Sequence, residues 1–111
     1  MENRKTIFVS HAPPYKTLLD QSSINKYKYE GLKLDKNLGS TSIRRFIENN
    51  QPDITLHGHI HESTSISGCY FDKIGSSICI NASFIVENKD QTEFIQLQLG
   101  EDISFEKIIL S

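Results

Sequence analysis

Cysteine is scarce, long apolar runs are missing and charge is nearly balanced, and each absence removes a class of explanation. The two cysteines, Cys69 and Cys79, stand ten residues apart, a spacing that suits neither a zinc ribbon nor a dense disulfide framework. They read as two reduced, half-buried thiols. The charged stretch from Met1 to Thr6 is followed only by Ile7-Phe8-Val9, too short for a signal-peptide core or a membrane span. The expected compartment is the cytoplasm, without a membrane partner. Twelve basic and 14 acidic residues are interspersed to a net charge of −2, so bulk charge does not favour nucleic acid or an anionic surface. Internal repeats, low-complexity tracts and linkers are also missing, and the 111 residues are read as one domain, 1–111. Hydrophobic residues make up 37% of the chain, below the usual globular share even with glycine added, so a modest core is expected.

Histidine is what the chain concentrates. Three of its four histidines, His57, His59 and His61, fall within five residues. Ile54 to Leu56 reads as a buried strand, with His57 at its end, and Gly58 breaks it. His59 and His61 then project from the loop at the strand's C-terminal end, where open α/β sheets place ligands. The fourth histidine, His11, follows another apolar run, Ile7-Phe8-Val9. That run is continuous, the pattern of a central strand covered on both faces, and Pro13-Pro14 ends it because proline cannot donate to a ladder. Two histidines at i and i+2 on a turning loop, plus a third at the end of a neighbouring strand, converge on one locus. Neutral imidazole suits zinc, iron or manganese. The alternative is a polar loop whose rings bond only to backbone. His57, inside the strand, reads as support for the site, with Gly58 beside it.

Residues 15–38 are polar and aperiodic, a long loop with one helical turn near Thr17 to Ser22. Its interleaved tyrosines and lysines resemble a base-stacking surface, but no other basic patch joins them, and a solvated flap over a pocket is the simpler reading. Ser40 is a helix N-cap, and Ile43, Phe46 and Ile47 share one face, with Arg44, Arg45 and Glu48 outward. Pro52 ends that helix, and strand, helix, strand implies a parallel pair. Beyond the histidines, Gly68–Lys73, Ser76–Asn81, Glu93–Leu99 and Ile103–Leu110 read as four strands of an antiparallel meander. Ile95, Leu97 and Leu99 alternate with Phe94, Gln96 and Gln98, which suits one dry and one wet face.

Gly58-His59-Ile60-His61 resembles the closing Gly-His-x-His signature of the calcineurin-like metallophosphoesterases. Val9-Ser10-His11-Ala12-Pro13-Pro14 looks like that family's earlier strand-end histidine. Gly39-Ser40 before Ile43-Arg44-Arg45-Phe46-Ile47, with Pro52 beyond, and Lys73-Ile74-Gly75 followed by Ile80-Asn81 agree in order and spacing. The resemblance covers nearly the whole chain and implies the C-terminal half of such a domain: a partial α/β sandwich, one β-α-β unit followed by an antiparallel meander. It implies a metal-dependent phosphoric ester hydrolase acting on a phosphate ester, with a divalent manganese, iron or zinc ion. His11 and His59 would bind one ion and His61 the other.

The chain departs from the family pattern in what precedes these motifs. The family's Asp-x-His, its Gly-Asp with the bridging carboxylate and its Gly-Asn-His-Asp/Glu have no counterpart, and Glu2 is the sole acidic residue before His11. Two cations without a bridging carboxylate would repel, so the resemblance implies an incomplete site in this chain alone. A single ion on His11, His59 and His61 plus water is an ordinary open zinc arrangement, although three neutral ligands leave its charge uncompensated. The expected partners are an N-terminal half or a second copy, since strands read as buried would otherwise leave apolar surface or a sheet edge exposed. A non-catalytic metal-binding or regulatory module on the same fold is the alternative.

Overall fold

Proline and glycine place the boundaries between short apolar runs, and those runs form a mixed α/β structure. The structure is a computed structural model and describes residues 4–22, 35–85 and 90–111. Strand β1 (Ile7–Val9) leads through a long connection to helix α1 (Thr41–Asn50), then strand β2 (Ile54–His57). A short helix α2 (Ser63–Ser67) precedes β3 (Phe71–Ile74), β4 (Ser77–Asn81), β5 (Thr92–Leu99) and β6 (Ile103–Leu110). The first four strands form one sheet in the order β1-β2-β4-β3, while β5 and β6 form a separate antiparallel pair. No helix among the described residues is long and apolar enough to cross a membrane.

The β-α-β unit forms as read, with β1 and β2 parallel and Ile7, Phe8 and Val9 opposite Ile54, Thr55 and Leu56. Ser40 caps α1 by accepting the Ile43 amide at 3.1 Å, satisfying one of the orphan donors of the first turn. The helix stops at Gln51, whose left-handed backbone (φ 48°) breaks the ladder one residue before Pro52. Gln51 also reaches across to the β3–β4 turn, where its Oε1 accepts from the Ser76 amide at 2.6 Å and its Nε2 donates to the Ile74 carbonyl at 3.1 Å.

Period-two alternation assigns the sheet's two faces. Phe8, Thr55, His57 and Cys79 share the face that α1 covers, where Leu19, Ile47, Ile74 and Cys79 form the buried cluster with Phe8 and Ile43 against it. Cys79 is fully buried and Cys69 half-buried, and both thiols are free. On the opposite face, Ile54 and Ile80 are buried, and Phe105 of β6 meets Phe71 and Tyr70 edge-on, with ring centroids 5.2 and 6.2 Å away.

Five expectations need correction. The first strand is at the sheet edge, not its centre: β1 pairs with β2 alone among the described residues, and Val9 is 68% exposed. An apolar triplet can line an edge when nothing covers it. The strands after the histidines do not make one meander, because β4 joins the parallel side of β2 and only β3 returns antiparallel to it. Alternation along β5 and β6 is present, but Ile95 and Leu97 are only half-buried and Phe94 is exposed, so neither face is fully dry. Arg44 turns inward to donate to the carbonyls of Tyr15 and Lys16, both at 3.0 Å, while Arg45 and Glu48 stay exposed.

The stretch after Pro14 is the fifth case. No helical turn forms over Thr17 to Ser22, and residues 23–34 of the loop lie outside the described residues. What is described is packed: Leu19 and Asp20 have no exposed surface. The Asp20 carboxylate accepts from the amides of Lys16 (2.7 Å), Thr17 (2.9 Å) and Gly39 (3.0 Å) and from Asn37 Nδ2 (2.7 Å). One buried carboxylate thereby ties this stretch to the start of α1. Gly39 has to be glycine, because a Cβ there would sit 2.6 Å from the Pro14 carbonyl oxygen.

Asp20→Ala leaves these four donors without an acceptor. The expected loss is about 3 kcal/mol or more of unfolding free energy in urea denaturation; a loss under about 1 kcal/mol would show that this carboxylate is not what holds the segment.

Candidate functional site

The three strands β1, β2 and β4 run parallel, so their C-terminal ends meet at one edge of the sheet. His11 lies two residues beyond β1, His57 ends β2, and Asn81 ends β4 directly opposite His57. The period of the strands brings these positions together without any side chain crossing the sheet.

His57, the last residue of β2, and Gly58 directly after it hold two consecutive carbonyls of the loop after β1. The Gly58 amide donates to the His11 carbonyl at 3.0 Å. His57 Nδ1 lies 3.0 Å from the Ala12 carbonyl and 3.0 Å from Ser10 Oγ, and Ser10 Oγ donates to the same Ala12 carbonyl at 2.7 Å. On the other side of the ring, Nε2 is 2.7 Å from Thr55 Oγ1. Both ring nitrogens are therefore engaged, and His57 ties β2 to the loop after β1. Burial pushes its pKa down from 6.5 to about 4, because a charged imidazolium loses solvation there.

With the two loops held side by side, His11 Nε2 stands 3.0 Å from His59 Nδ1, the rings 4.7 Å apart at 60° and open to solvent. His59 occupies the left-handed region at φ 70°, a conformation that costs a non-glycine residue energy and tends to persist at functional positions. Ile60 is buried, which roots the loop between the exposed His59 and His61. Asn81 completes the support, donating through Nδ2 to the Ile60 carbonyl at 3.3 Å and accepting the Ser83 amide at 2.9 Å.

The structure thus brings His11 and His59 together and leaves His61 apart. Among the described residues no group of three or more His, Cys, Asp or Glu side chains converges as a metal site would require. Two imidazole nitrogens on a tetrahedral ion, each about 2.1 Å from it, would be roughly 3.4 Å apart. The 3.0 Å pair needs to open by only a few tenths of an ångström. Its donor set fits one edge of a coordination sphere, with the remaining ligands to come from outside these two residues.

Gly58 contributes its amide, not conformational freedom. A Cβ there would meet the His11 carbonyl oxygen at 3.8 Å and the Ser83 Cβ at 3.9 Å, ordinary contacts. Thr55 and Ser10, both polar partners of His57, were missed in the sequence. Their signal was legible for Thr55, which shares a strand face with His57 at i−2, and not for Ser10, whose contact depends on how the loop turns.

No family model matches the chain, and no solved structure matches it. The chain is similar to the uncharacterized protein MJ1162 of the archaeon Methanocaldococcus jannaschii, with 43% identity over 86 residues, 75% of this chain and 34% of that protein. The chain spans about a third of the length of the curated relative it matches.

Two outcomes are expected. In the metal-free protein, unfolded His57 takes up its proton near 6.5 while the folded ring does so only near 4. The unfolded state therefore binds more protons within that window, and stability falls as pH is lowered through it, by roughly 3 kcal/mol in total. Urea midpoints across the window check this, and a slope that persists in His57→Gln would assign it to other groups. Gly58→Ala should change stability by less than about 1 kcal/mol; a loss of several would mean that glycine is needed for more than its amide.

Proposed function

We propose that this chain is the C-terminal segment of a calcineurin-like metallophosphoesterase, a metal-dependent phosphoric ester hydrolase whose site is completed by further polypeptide. The observation that carries the reading is the His11–His59 pair, 3.0 Å apart at the C-terminal edge of parallel strands, formed by residues of the two motifs that resemble the family's. The partial sandwich of that family is supported by the sheet order and by the β5–β6 hairpin packed on the face opposite α1. A divalent manganese, iron or zinc ion would be held by His11 Nε2 and His59 Nδ1, with His61 offered to a second ion. When bound, such an ion supplies Lewis-acid polarisation of a phosphoryl oxygen and a nucleophile at neutral pH.

The chain's own residues position and exclude. His57 and Gly58 fix the distance between the two ligand-bearing loops, and buried Ile60 keeps the His59 turn from folding back on the sheet. A phosphate ester is the proposed substrate, reached from the open side of the pair. The exposed β1 edge, with Ile7 39% and Val9 68% exposed, is where a completing N-terminal half or a second copy would add, since unpaired strand edges invite pairing.

A second reading is a non-catalytic metal-binding or regulatory module on the same fold. It is favoured by one observation: the described residues bring only two imidazoles together and no carboxylate with them. One experiment separates the two. The chain joined to the polypeptide encoded immediately upstream is assayed for manganese-stimulated release of nitrophenol from nitrophenyl phosphomonoesters and diesters. The expected result is stimulated hydrolysis that falls by about 100-fold or more in His59→Ala. Metal binding without hydrolysis would overturn the enzyme reading in favour of the module.

A further inference from the structure

Strand β1 bonds through only half of its backbone. The Thr6 carbonyl accepts from the Ile54 amide at 3.2 Å and the Ser10 amide donates to the Leu56 carbonyl at 3.0 Å, so the even residues turn their polar groups to β2. By the period of two, the N–H and C=O groups of Ile7 and Val9 point the other way, to an edge that carries no strand among the described residues. Ile7 and Val9 are 39% and 68% exposed there. Beside this edge, on the α1 face, lies a cavity of about 300 Å³ whose lining includes Phe8, Phe46 and Pro52. Its two rings are 4.7 Å apart, and Phe46 is exposed. Open backbone groups beside an apolar groove take an extended chain.

The strand's own sequence selects the occupant. Thr6-Ile7-Phe8-Val9-Ser10 reads alike in both directions: a hydroxyl, a β-branched residue, an aromatic ring, a β-branched residue, a hydroxyl. Two copies related by a two-fold axis meet antiparallel, since parallel copies so related would bring donor to donor and acceptor to acceptor. With Phe8 on the axis, Ile7 lies opposite Val9 twice, Phe8 opposite Phe8 and Thr6 opposite Ser10, all of them pairings that stabilise sheets. The outward groups of Ile7 and Val9 then exchange two bonds in each opposed pair. Centring on Ile7 would instead set Val9 opposite Lys5, and centring on Val9 would set Ile7 opposite His11, each matching an apolar residue with a polar one. We propose that the β1 edge is a homodimer interface: two copies pair antiparallel through β1, centred on Phe8, and join their four-stranded sheets into one, with the Phe8 and Phe46 rings of both copies on the α1 face. This rests on the strand edge and not on the metal reading above, and either can fail without the other.

The test uses the full 111-residue chain without added metal. A three-residue strand makes a small contact, so sedimentation velocity should show a monomer–dimer equilibrium with a Kd of about 10 to 100 µM. Val9→Lys, at a largely exposed position, should weaken association by about 10-fold or more and leave the far-ultraviolet circular dichroism of the dilute protein unchanged. Val9→Pro removes an edge donor and no bond to β2, and should act in the same way. The register is read by cross-linking in a Cys69→Ser background, Cys79 being fully buried. Oxidising a mixture of Ile7→Cys and Val9→Cys chains should give mainly the mixed dimer by mass spectrometry, because residues directly opposite are within disulfide reach and diagonal ones are not. An excess of self-linked Ile7→Cys or Val9→Cys dimers would overturn the register. A dimer that Val9→Lys and Val9→Pro leave intact would overturn the interface. A wild-type chain that stays monomeric to about 1 mM would do so too, and would leave the edge to polypeptide encoded upstream.

Discussion

The pair of hydrogen bonds from His57 and Gly58 to the carbonyls of Ala12 and His11 is the constraint on which the site depends. Parallel pairing of β1 and β2 brings the two strand ends near one another, but pairing ends at Val9 and Leu56. One more backbone bond, from the Ser10 amide to the Leu56 carbonyl at 3.0 Å, follows that register. A buried ring on one loop and an amide beside it hold consecutive carbonyls on the other, and the two imidazoles meet at 3.0 Å as a result. Every other feature of the edge works with this tether: Ile60 roots the loop, Asn81 holds the Ile60 carbonyl, and His59 takes a left-handed conformation to face His11.

The tether also explains why a buried, neutral histidine is tolerated in a modest core. A polar ring placed inside costs free energy unless its nitrogens are paired, and here both are. The depressed pKa is the other side of the same arrangement, since an imidazolium in that place would stay desolvated. Support for the site and sensitivity of the fold to acid thus come from one residue.

Much of this was legible in the sequence, and what was not has identifiable causes. The Ser40 cap, the Ile43–Phe46–Ile47 face and the end of the helix before Pro52 follow from local rules, and the structure agrees. The strand-end placement of His11 and His57 follows from short apolar runs bounded by breakers. Centrality of β1 was misread because a continuous apolar triplet looks the same whether or not a neighbour covers it. The meander was misread because spacing announces hairpins but says nothing about which earlier strand a hairpin joins; β4 chose β2. The burial of Leu19 and Asp20 was hidden in a polar, aperiodic stretch, where a single carboxylate collecting four donors leaves no periodic trace. Separation of His61 from the pair was equally invisible, since i and i+2 spacing on a loop fixes proximity along the chain but not direction.

On the proposed reading, the tethered loops present a two-imidazole half-site for a metal ion. The most direct measurement is X-ray absorption at the metal edge of the zinc-loaded chain, in which imidazole rings give a distinct multiple-scattering pattern. Two imidazole nitrogens at about 2.0 to 2.1 Å are expected, reduced to one in His11→Ala and in His59→Ala. A shell containing thiolate sulfur, or a count of imidazoles that neither substitution changes, would contradict it.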